Sequence, residues 1–379
     1  MRLPPFGPHR RSRAALVALC LVLAAGLGAC AGRPGPETLS TVALNDHKPT
    51  RVETLFTVTT RGRAEPGTNV FNTSKTREPN YARFDVSIPP NHKPANIEWP
   101  KSGRKPDPKT DFAVVSQSAL DRAALLQAVR TRDKAPPVVF VHGYNYNFQE
   151  SLFRLAQLKT DSNLDGTPIL FSWPSLAALP AYVADKEAAT YSRDALANLL
   201  SDLTQERKGQ VEVFAHSMGG WLTMEALRQL RLQGKGDVLN RLRVIMAAPD
   251  IDDDVFSAQL DIIGRMRTPI TVLVAPDDRA LRVSSFLGAG DRVGALDARN
   301  PQVAEAAKRY GVAIVDISSL QPTDVTNHNR FFDVKQLAMT LSKPAASATI
   351  GDAGAFVLDA AAQTVSSPFS LAARVLRQQ

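Results

Sequence analysis

The chain has 379 residues, of which 44% are hydrophobic and 22% charged, which is ordinary for a globular protein with one large core. This composition excludes a chain that is mainly disordered. The formal net charge of +8 falls to +4 without four arginines near the N-terminus, so charge does not indicate a nucleic-acid partner.

The N-terminus has the pattern of an export signal. Arginines precede an apolar run over residues 14–27, AALVALCLVLAAGL, which is short for a transmembrane helix of about 20 residues. The run leads into Leu27-Gly28-Ala29-Cys30, which resembles the bacterial lipobox, whose cysteine is acylated and becomes the first residue of the mature protein. We therefore expect a lipoprotein signal peptide over residues 1–29 and lipidation of Cys30.

The cysteine content agrees with this interpretation. The only cysteines are Cys20, inside the predicted signal, and Cys30, so the mature chain has no internal disulfide. We expect an exported bacterial lipoprotein, anchored in the outer membrane by its N-terminal lipid and facing the periplasm. An ordinary signal peptide cleaved nearby is the alternative, and the pair Arg10-Arg11 leaves both the Sec and the Tat export routes open.

The segment after the predicted lipobox changes in character twice. Residues 30–50 are rich in Gly, Pro and Thr without an apolar period, which predicts a flexible tether. Three segments with strand character follow, separated by loops rich in Pro and Lys, at residues 53–60, 82–88 and 112–116.

From residue 119 onward, short apolar strands alternate with stretches of helical periodicity. This alternation predicts a mostly parallel central sheet flanked by helices, with the earlier strands as an N-terminal extension. We expect one domain over residues 51–342 and an Ala- and Ser-rich tail over 343–379. The predicted strands are residues 138–141, 169–173, 211–215, 244–247, 270–274 and 312–317, and the clearest helices are 188–204 and 219–232.

Ser217 lies where a predicted strand, VEVFA, meets a predicted helix, MGGWLTMEALRQL. The pattern small-x-Ser-x-Gly is typical of a nucleophile elbow, a turn so tight that large flanking side chains would clash. Ala215 replaces the more common first glycine, and Gly219 and Gly220 supply the other side. A serine that merely caps the helix is the alternative, but it leaves the two glycines unexplained.

A nucleophilic serine needs a base, and elimination leaves one histidine for that role. His9 lies in the signal, His47 and His92 precede the alternating region, His142 ends an earlier strand, and His216 directly precedes Ser217. His328 remains, in the polar turn DVTNHNRFF after the last predicted strand. It has the position that an α/β-hydrolase fold requires of its general base.

The acid that orients the base has three candidates. Asp278 follows the strand ITVLV and is favoured, because active-site residues gather at the carboxyl ends of parallel strands. Asp277 beside it is an alternative, and Asp250, after the preceding strand, is another. Asp252, Asp253 and Asp254 are interpreted as the solvated start of a helix.

An oxyanion hole requires backbone N–H groups near the nucleophile. The N–H of Met218, the residue after the serine, is the expected first donor. The loop VHGYN after an earlier strand supplies the second, and Tyr144 is the candidate, with Gly143 allowing close approach to a substrate carbonyl. His142 is interpreted as a residue that braces this loop.

Six motifs in order, VHGYN, SWPS, AHSMGG, AAPDIDDDVF, DDRALRVS and HNRFF, resemble the α/β-hydrolase family of uncharacterised bacterial proteins known as DUF900, of the esterase/lipase superfamily. The resemblance extends upstream to TTRGRAEP and covers most of residues 53–341. It implies a triad of Ser217, Asp278 and His328. It does not imply a particular substrate.

The sequence predicts neither a large lid domain nor a cofactor or metal site. About 20 residues separate the strand ending at Ala247 from the next one, too few for a large lid domain, so we expect an open pocket walled by loops. Its borders would be Tyr144 and the segments 174–184 and 284–299. No P-loop, HExxH or Cys-His metal spacing occurs, and the sequence predicts no cofactor and no metal.

These observations predict a serine hydrolase that cleaves carboxylic esters, of a small molecule or a lipid, through an acyl-enzyme. The same residues would also serve an amidase, a thioesterase or an acyltransferase. The alternative from another class is a catalytically silent α/β-hydrolase scaffold that acts as a binding or assembly lipoprotein of the cell envelope.

Overall fold

A computed structural model describes residues 33–44, 48–101, 103–132, 135–162, 165–207, 209–288, 290–322 and 324–333. The predicted signal peptide, Cys30 and the predicted tail lie outside these residues. Within the described ranges, none of the helices combines the length and the hydrophobicity needed to cross a membrane.

Nine strands in the described part of the chain form one sheet, in the order β3-β2-β1-β5-β4-β6-β7-β8-β9. The pairs β1/β2 and β2/β3 are antiparallel, whereas β1 pairs with β5 in parallel and every later pair is parallel. The strands are β1 (Arg51–Arg63), β2 (Phe71–Ile88), β3 (Ala113–Leu120), β4 (Val138–Val141), β5 (Pro168–Ser172), β6 (Val211–His216), β7 (Leu242–Ala247), β8 (Ile270–Val274) and β9 (Val312–Asp316).

Helices cover both faces of this sheet. They are α1 (Arg122–Arg132), α2 (Phe148–Ser162), α3 (Tyr182–Tyr191), α4 (Arg193–Arg207), α5 (Met218–Leu232), α6 (Gly236–Leu239), α7 (Asp253–Ile263), α8 (Arg279–Gly288) and α9 (Pro301–Tyr310). In β4, Val139 and Val141 join one buried apolar cluster while Phe140 joins another, because successive strand residues face opposite sides. The sheet therefore lies between two apolar layers.

This architecture is the α/β-hydrolase fold with antiparallel strands on its N-terminal side, as the sequence predicted. Residues 248–269, between β7 and β8, contain α7 and no other helix or strand of three residues or more. This connection is too short for a lid domain.

The helix predicted over 188–204 is instead two helices, α3 and α4, that meet at Ser192. The Ser192 hydroxyl donates to the Ala188 carbonyl at 2.9 Å, and its oxygen lies 2.7 Å from the Thr60 hydroxyl. A serine that bonds to the preceding turn competes with the regular helix. The apolar period continues through this break, so the sequence predicted a single helix.

The described part of the predicted tether is packed against the domain. Pro36–Leu39 forms a short 3-10 helix in which Leu39 is buried in the apolar layer that contains Phe140. The backbone N–H of Val42 donates to the Val114 carbonyl at 2.9 Å. Leu39 is a single buried apolar side chain, and one such residue leaves no period in the sequence.

Candidate active site

Ser217 occupies a strained turn between β6 and α5. Its backbone has φ 52° and ψ −121°, in a region that L-residues with side chains rarely adopt. The surrounding backbone fixes this conformation: the Ser217 N–H donates to the Ala247 carbonyl at 3.0 Å, and its own carbonyl accepts from Gly220 at 2.8 Å. The serine predicted as a nucleophile is thus held at the carboxyl end of β6, at the start of a helix.

Two glycines allow other parts of the backbone to approach this turn. A Cβ atom at Gly219 would lie 2.4 Å from the Val141 carbonyl oxygen, closer than real Cβ atoms come to any neighbour. A Cβ atom at Gly143 would lie 3.0 Å from the Ser217 Cβ and 2.9 Å from His216 Nδ1. The loop after β4 therefore passes directly beside Ser217.

His328 and Asp278 form a hydrogen-bonded pair. His328 Nδ1 lies 2.6 Å from Asp278 Oδ2, and the other oxygen of this fully buried carboxylate accepts from the Leu281 N–H at 2.9 Å. Burial disfavours the imidazolium, but the hydrogen bond and the charge of Asp278 outweigh burial and raise the pKa of His328 above 6.5. A carboxylate at Nδ1 orients the ring so that Nε2 is the nitrogen that can accept a proton.

The other two candidate acids have arginine partners. Asp277 receives two hydrogen bonds of 2.6 Å from Arg330, which lower its pKa. Asp250 lies 3.3 Å from the guanidinium of Arg292 and accepts hydrogen bonds from Tyr182 and Ser284. Of the three aspartates, Asp278 is the one that the structure pairs with His328.

His216, the residue directly before Ser217, packs against His328. Its ring centroid is 4.7 Å from that of His328 and 4.6 Å from that of Phe331. Burial, followed by the nearby charge of His328, lowers the pKa of His216 well below 6.5. His216 therefore stays neutral and does not add a second positive charge beside His328.

The two predicted oxyanion donors belong to the two segments that adjoin Ser217, the start of α5 and the loop after β4. Met218 is the first residue of α5, so its N–H has no acceptor within the helix and lies at the positive end of the helix dipole. Tyr144 follows Gly143 in the loop that passes beside the serine. Its side chain is turned away, with the hydroxyl donating to the carbonyls of Ala178 and Leu179.

His142 braces this loop, as the sequence predicted. Its ring stacks on Trp173 with centroids 4.8 Å apart, and its nitrogens face the carbonyl oxygens of Gly143 and Trp173 at 2.9 and 3.2 Å. Burial and the neighbouring charge of Arg61 lower the pKa of His142 to about 3. The ring is therefore neutral at physiological pH and serves as packing.

The sequence did not single out Asp185 and Arg292, which hold the loops around the site. The Asp185 carboxylate, buried in α3, accepts from the Ser175 hydroxyl at 2.6 Å and from the Leu176 N–H at 2.7 Å. Arg292 is buried against Asp250. The motif SWPS contains Ser175, the partner of Asp185. No sequence pattern, however, connects Asp185 with Ser175 or Arg292 with Asp250.

No group of three or more His, Cys, Asp or Glu side chains within the described ranges is arranged to hold a metal ion. The polar residues brought together are instead Ser217, His216, His328 and Asp278, at the ends of neighbouring strands and loops. Within this arrangement, the Asp278 carboxylate orients the His328 imidazole.

The fold defines the chain as an α/β-hydrolase, and the family can be named more closely. Residues 117–343 match the family described as "Alpha/beta hydrolase of unknown function (DUF900)". The match covers more than half of the sequence, so the chain belongs to this family, which its motifs had indicated. Membership of this family supports a hydrolase activity. No curated protein matches the chain.

Solved structures with distant likeness include several esterases and lipases. An esterase of Rhizomucor miehei has a TM-score of 0.34 and 13% identity over 89% of this chain and 97% of its own. The esterase of Pyrobaculum calidifontis has a TM-score of 0.32 and 14% identity over 71% and 76%. Aspergillus fumigatus lipase B has a TM-score of 0.28 and 13% identity over 41% of this chain, which spans 42% of the lipase.

Proposed function

We propose that the protein is a serine hydrolase that cleaves carboxylic esters through an acyl-enzyme. One observation carries the proposal: Ser217 lies in a strained turn beside His216, whose ring packs on His328, and His328 is hydrogen-bonded to the buried carboxylate of Asp278. A serine hydroxyl is a weak nucleophile unless a base of this kind is placed and oriented for it.

In the proposed reaction, His328 Nε2 takes the hydroxyl proton of Ser217 as the oxygen attacks the ester carbonyl. Asp278 fixes the imidazole tautomer and stabilises the cation that forms. The N–H groups of Met218 and Tyr144 hold the oxyanion. The protonated His328 then gives its proton to the departing alcohol, and the acyl group stays on Ser217.

Water completes the proposed cycle. His328 removes a proton from a water molecule, which attacks the acyl carbonyl, and the proton then returns to the Ser217 oxygen as the carboxylic acid leaves. The same residues could act on an amide or a thioester, or pass the acyl group to another acceptor. Esters are the first substrates to test because alkoxides leave more readily than amide nitrogen.

We also propose that the enzyme is a lipoprotein anchored through Cys30 and exported to the periplasmic face of the outer membrane. The support is the sequence Leu27-Gly28-Ala29-Cys30 after an apolar run preceded by arginines. Cell growth with an alkyne-labelled fatty acid should label the mature chain. The Cys30→Ser variant should lose this label, whereas a labelled variant would contradict anchoring at this residue.

The test of the reaction is hydrolysis of a series of p-nitrophenyl esters by the wild type and by the Ser217→Ala variant. We expect kcat/KM to fall by at least about a thousandfold when the nucleophile is removed. Ser192→Ala is the matched control, because Ser192 is also buried but lies at the α3/α4 junction. A folded Ser217→Ala variant that hydrolyses the esters with the kcat/KM of the wild type would contradict the proposal.

A further inference from the structure

Exposed apolar side chains form two groups around the candidate site. Leu179 is 75% exposed and Phe286 is 88% exposed, which is unusual for large apolar residues. We call the two groups together the apolar rim. It consists of Leu176, Leu179 and Val183 on the segment before and within α3, and Val283, Phe286 and Leu287 on α8.

Both groups are tied to the backbone around Ser217. On one side, the Tyr144 hydroxyl donates to the Leu179 carbonyl, and Tyr144 follows Gly143, which lies against Ser217. On the other side, Ser284 of α8 donates to Asp250 at 2.5 Å, and the N–H of Asp250 donates to the Ser217 carbonyl at 3.2 Å. Tyr182 of α3 and Ser284 of α8 are also hydrogen-bonded to each other at 2.8 Å, so the two groups of the rim lie on neighbouring elements that are both connected to the backbone at Ser217.

One face of α8 is buried, and the opposite face exposes apolar side chains to solvent. Leu281 and Ser284 are buried, whereas Val283, Phe286 and Leu287 are spaced as neighbours on one exposed helical face. The helix also carries two exposed arginines, Arg279 and Arg282, and no acidic residue. A short helix with apolar and basic side chains outward is the kind of surface that contacts a membrane containing anionic lipids.

The beginning of the described chain lies on this same side of the molecule. The Arg33 guanidinium donates to the Asn145 carbonyl at 2.7 Å and to the Ala177 carbonyl, and it pairs with Glu150 at 3.4 Å. The Asn147 side chain donates to the Pro34 carbonyl at 2.9 Å. Residues 33 and 34 are thus attached to the loop that contains Tyr144 and to the segment that contains Leu176 and Leu179.

This attachment shortens the link between the predicted anchor and the domain. A flexible tether over residues 30–50 would have a root-mean-square end-to-end distance of about 25 Å, which would separate the domain from its lipid. Cys30 is three residues from Arg33, so its Cα lies within about 11 Å of the Arg33 Cα. A lipid on Cys30 would therefore enter the bilayer beside the apolar rim.

We propose that the apolar rim contacts the bilayer that holds the Cys30 lipid, and that the substrate is an acyl ester carried in that bilayer. This inference rests on the proposed hydrolase function and on lipidation of Cys30. Contact of this kind brings the loops beside Ser217 to the lipid surface, so a membrane-borne acyl chain can reach Ser217 without crossing water.

The experiment compares two matched leucines in the full, lipidated chain reconstituted into vesicles of phosphatidylcholine and phosphatidylglycerol. Leu287 of α8 is 61% exposed, and Leu232, the last residue of α5, is 56% exposed. Because α5 starts beside Ser217, Leu232 lies about 21 Å away along the helix axis. Each is replaced by Trp, and quenching by lipids with brominated acyl chains is measured against the parent chain.

We expect the added fluorescence of Leu287→Trp to be quenched and that of Leu232→Trp to be unaffected. Absence of quenching at both positions, or equal quenching at both, would overturn the proposed orientation. The readout does not require catalysis, and it is repeated with Ser217→Ala. A failed ester-hydrolysis test with selective quenching would therefore reject the proposed reaction and leave the membrane contact standing.

A second measurement tests the substrate class. The Phe286→Ser variant should hydrolyse a vesicle-borne ester at least about tenfold more slowly, relative to a water-soluble ester, than the wild type does. Phe286→Leu, which keeps an apolar side chain, should recover most of this ratio. An unchanged ratio in Phe286→Ser would overturn delivery of the substrate from the bilayer.

Discussion

Two neighbouring strands, β7 and β8, are each followed within four residues by a buried aspartate, and the two aspartates have different partners. Asp250, after β7, is enclosed by Arg292, Tyr182 and Ser284. Asp278, after β8, is hydrogen-bonded to His328. An arginine holds its charge at all relevant pH values, whereas an imidazole can gain and lose a proton.

The position of a carboxylate at the edge of a sheet therefore does not define its role. The partner decides whether the carboxylate can assist proton transfer or serves to connect loops. Asp250 links α3, α8 and Arg292 around the serine turn, and we propose that Asp278 orients the base. Variants of Asp278, of Asp250 and of the Arg292 partner should therefore have different effects on activity and on stability.

Asp278→Asn should have the largest effect. The amide cannot stabilise an imidazolium and favours the wrong tautomer of His328, so we expect kcat/KM to fall by about 10⁴-fold. Steady-state ester hydrolysis measures this loss. Asp277→Asn is the control next in sequence, and a loss of similar size in that variant would contradict the assignment of Asp278.

Asp250→Asn should act on stability. Removal of Asp250 leaves the buried Arg292 with only its longer ion pair to Asp252, at 3.6 Å, and we expect the free energy of unfolding to fall by about 3 kcal/mol, at the lower end of the range for a broken buried pair. Urea denaturation at 25 °C measures the change. Unchanged stability together with an activity loss as large as that of Asp278→Asn would exchange the roles of the two aspartates.

The double variant Asp250→Asn/Arg292→Met should show that the stability effect belongs to the pair. With both buried charges removed, only the partly exposed Asp252 loses a partner, and we expect the double variant to recover about 1–3 kcal/mol relative to the sum of the single variants. Urea denaturation of all four proteins gives this coupling. Strict additivity would show that Arg292 is not the partner that matters.

The pH dependence of activity should separate Asp278 from Asp250 with a smaller effect. The proposed base must be neutral to act, so activity should fall as pH decreases through the raised pKa of His328, above 6.5. Asp278→Asn removes the main group that raises this pKa while burial still lowers it, so the acid limb should move to lower pH. An acid limb at the same pH in Asp278→Asn as in the wild type would show that a group other than His328 controls the activity.

Local periodicity predicted the strands of the parallel part of the sheet well, but it found only residues 82–88 of β2, whose polar first half begins at Phe71. The predicted bounds of β4 and β8 agree with the structure, because each is a short apolar run buried on both faces. The break at Ser192 and the burial of Leu39 depend on contacts with residues far away in sequence. Such contacts leave no periodic trace.

The candidate site was predictable where it depends on local sequence patterns, and not where it depends on long-range contacts. The turn at Ser217 has a local pattern, and His328 was found by elimination among six histidines. The choice among Asp250, Asp277 and Asp278 depended on Arg292, Arg330 and His328, which come together only in the folded chain. Position favoured Asp278, but the sequence could not pair the other two with their arginines.

Labelling of the folded chain with a fluorophosphonate, followed by intact mass and peptide mapping, tests most directly whether Ser217 is activated. An activated serine displaces fluoride from this probe and keeps the phosphonate. We predict one adduct per chain, on Ser217, absent in Ser217→Ala and greatly slowed in His328→Ala. A folded wild type that remains unlabelled, or an adduct on another residue, would contradict the proposal that His328 and Asp278 activate Ser217.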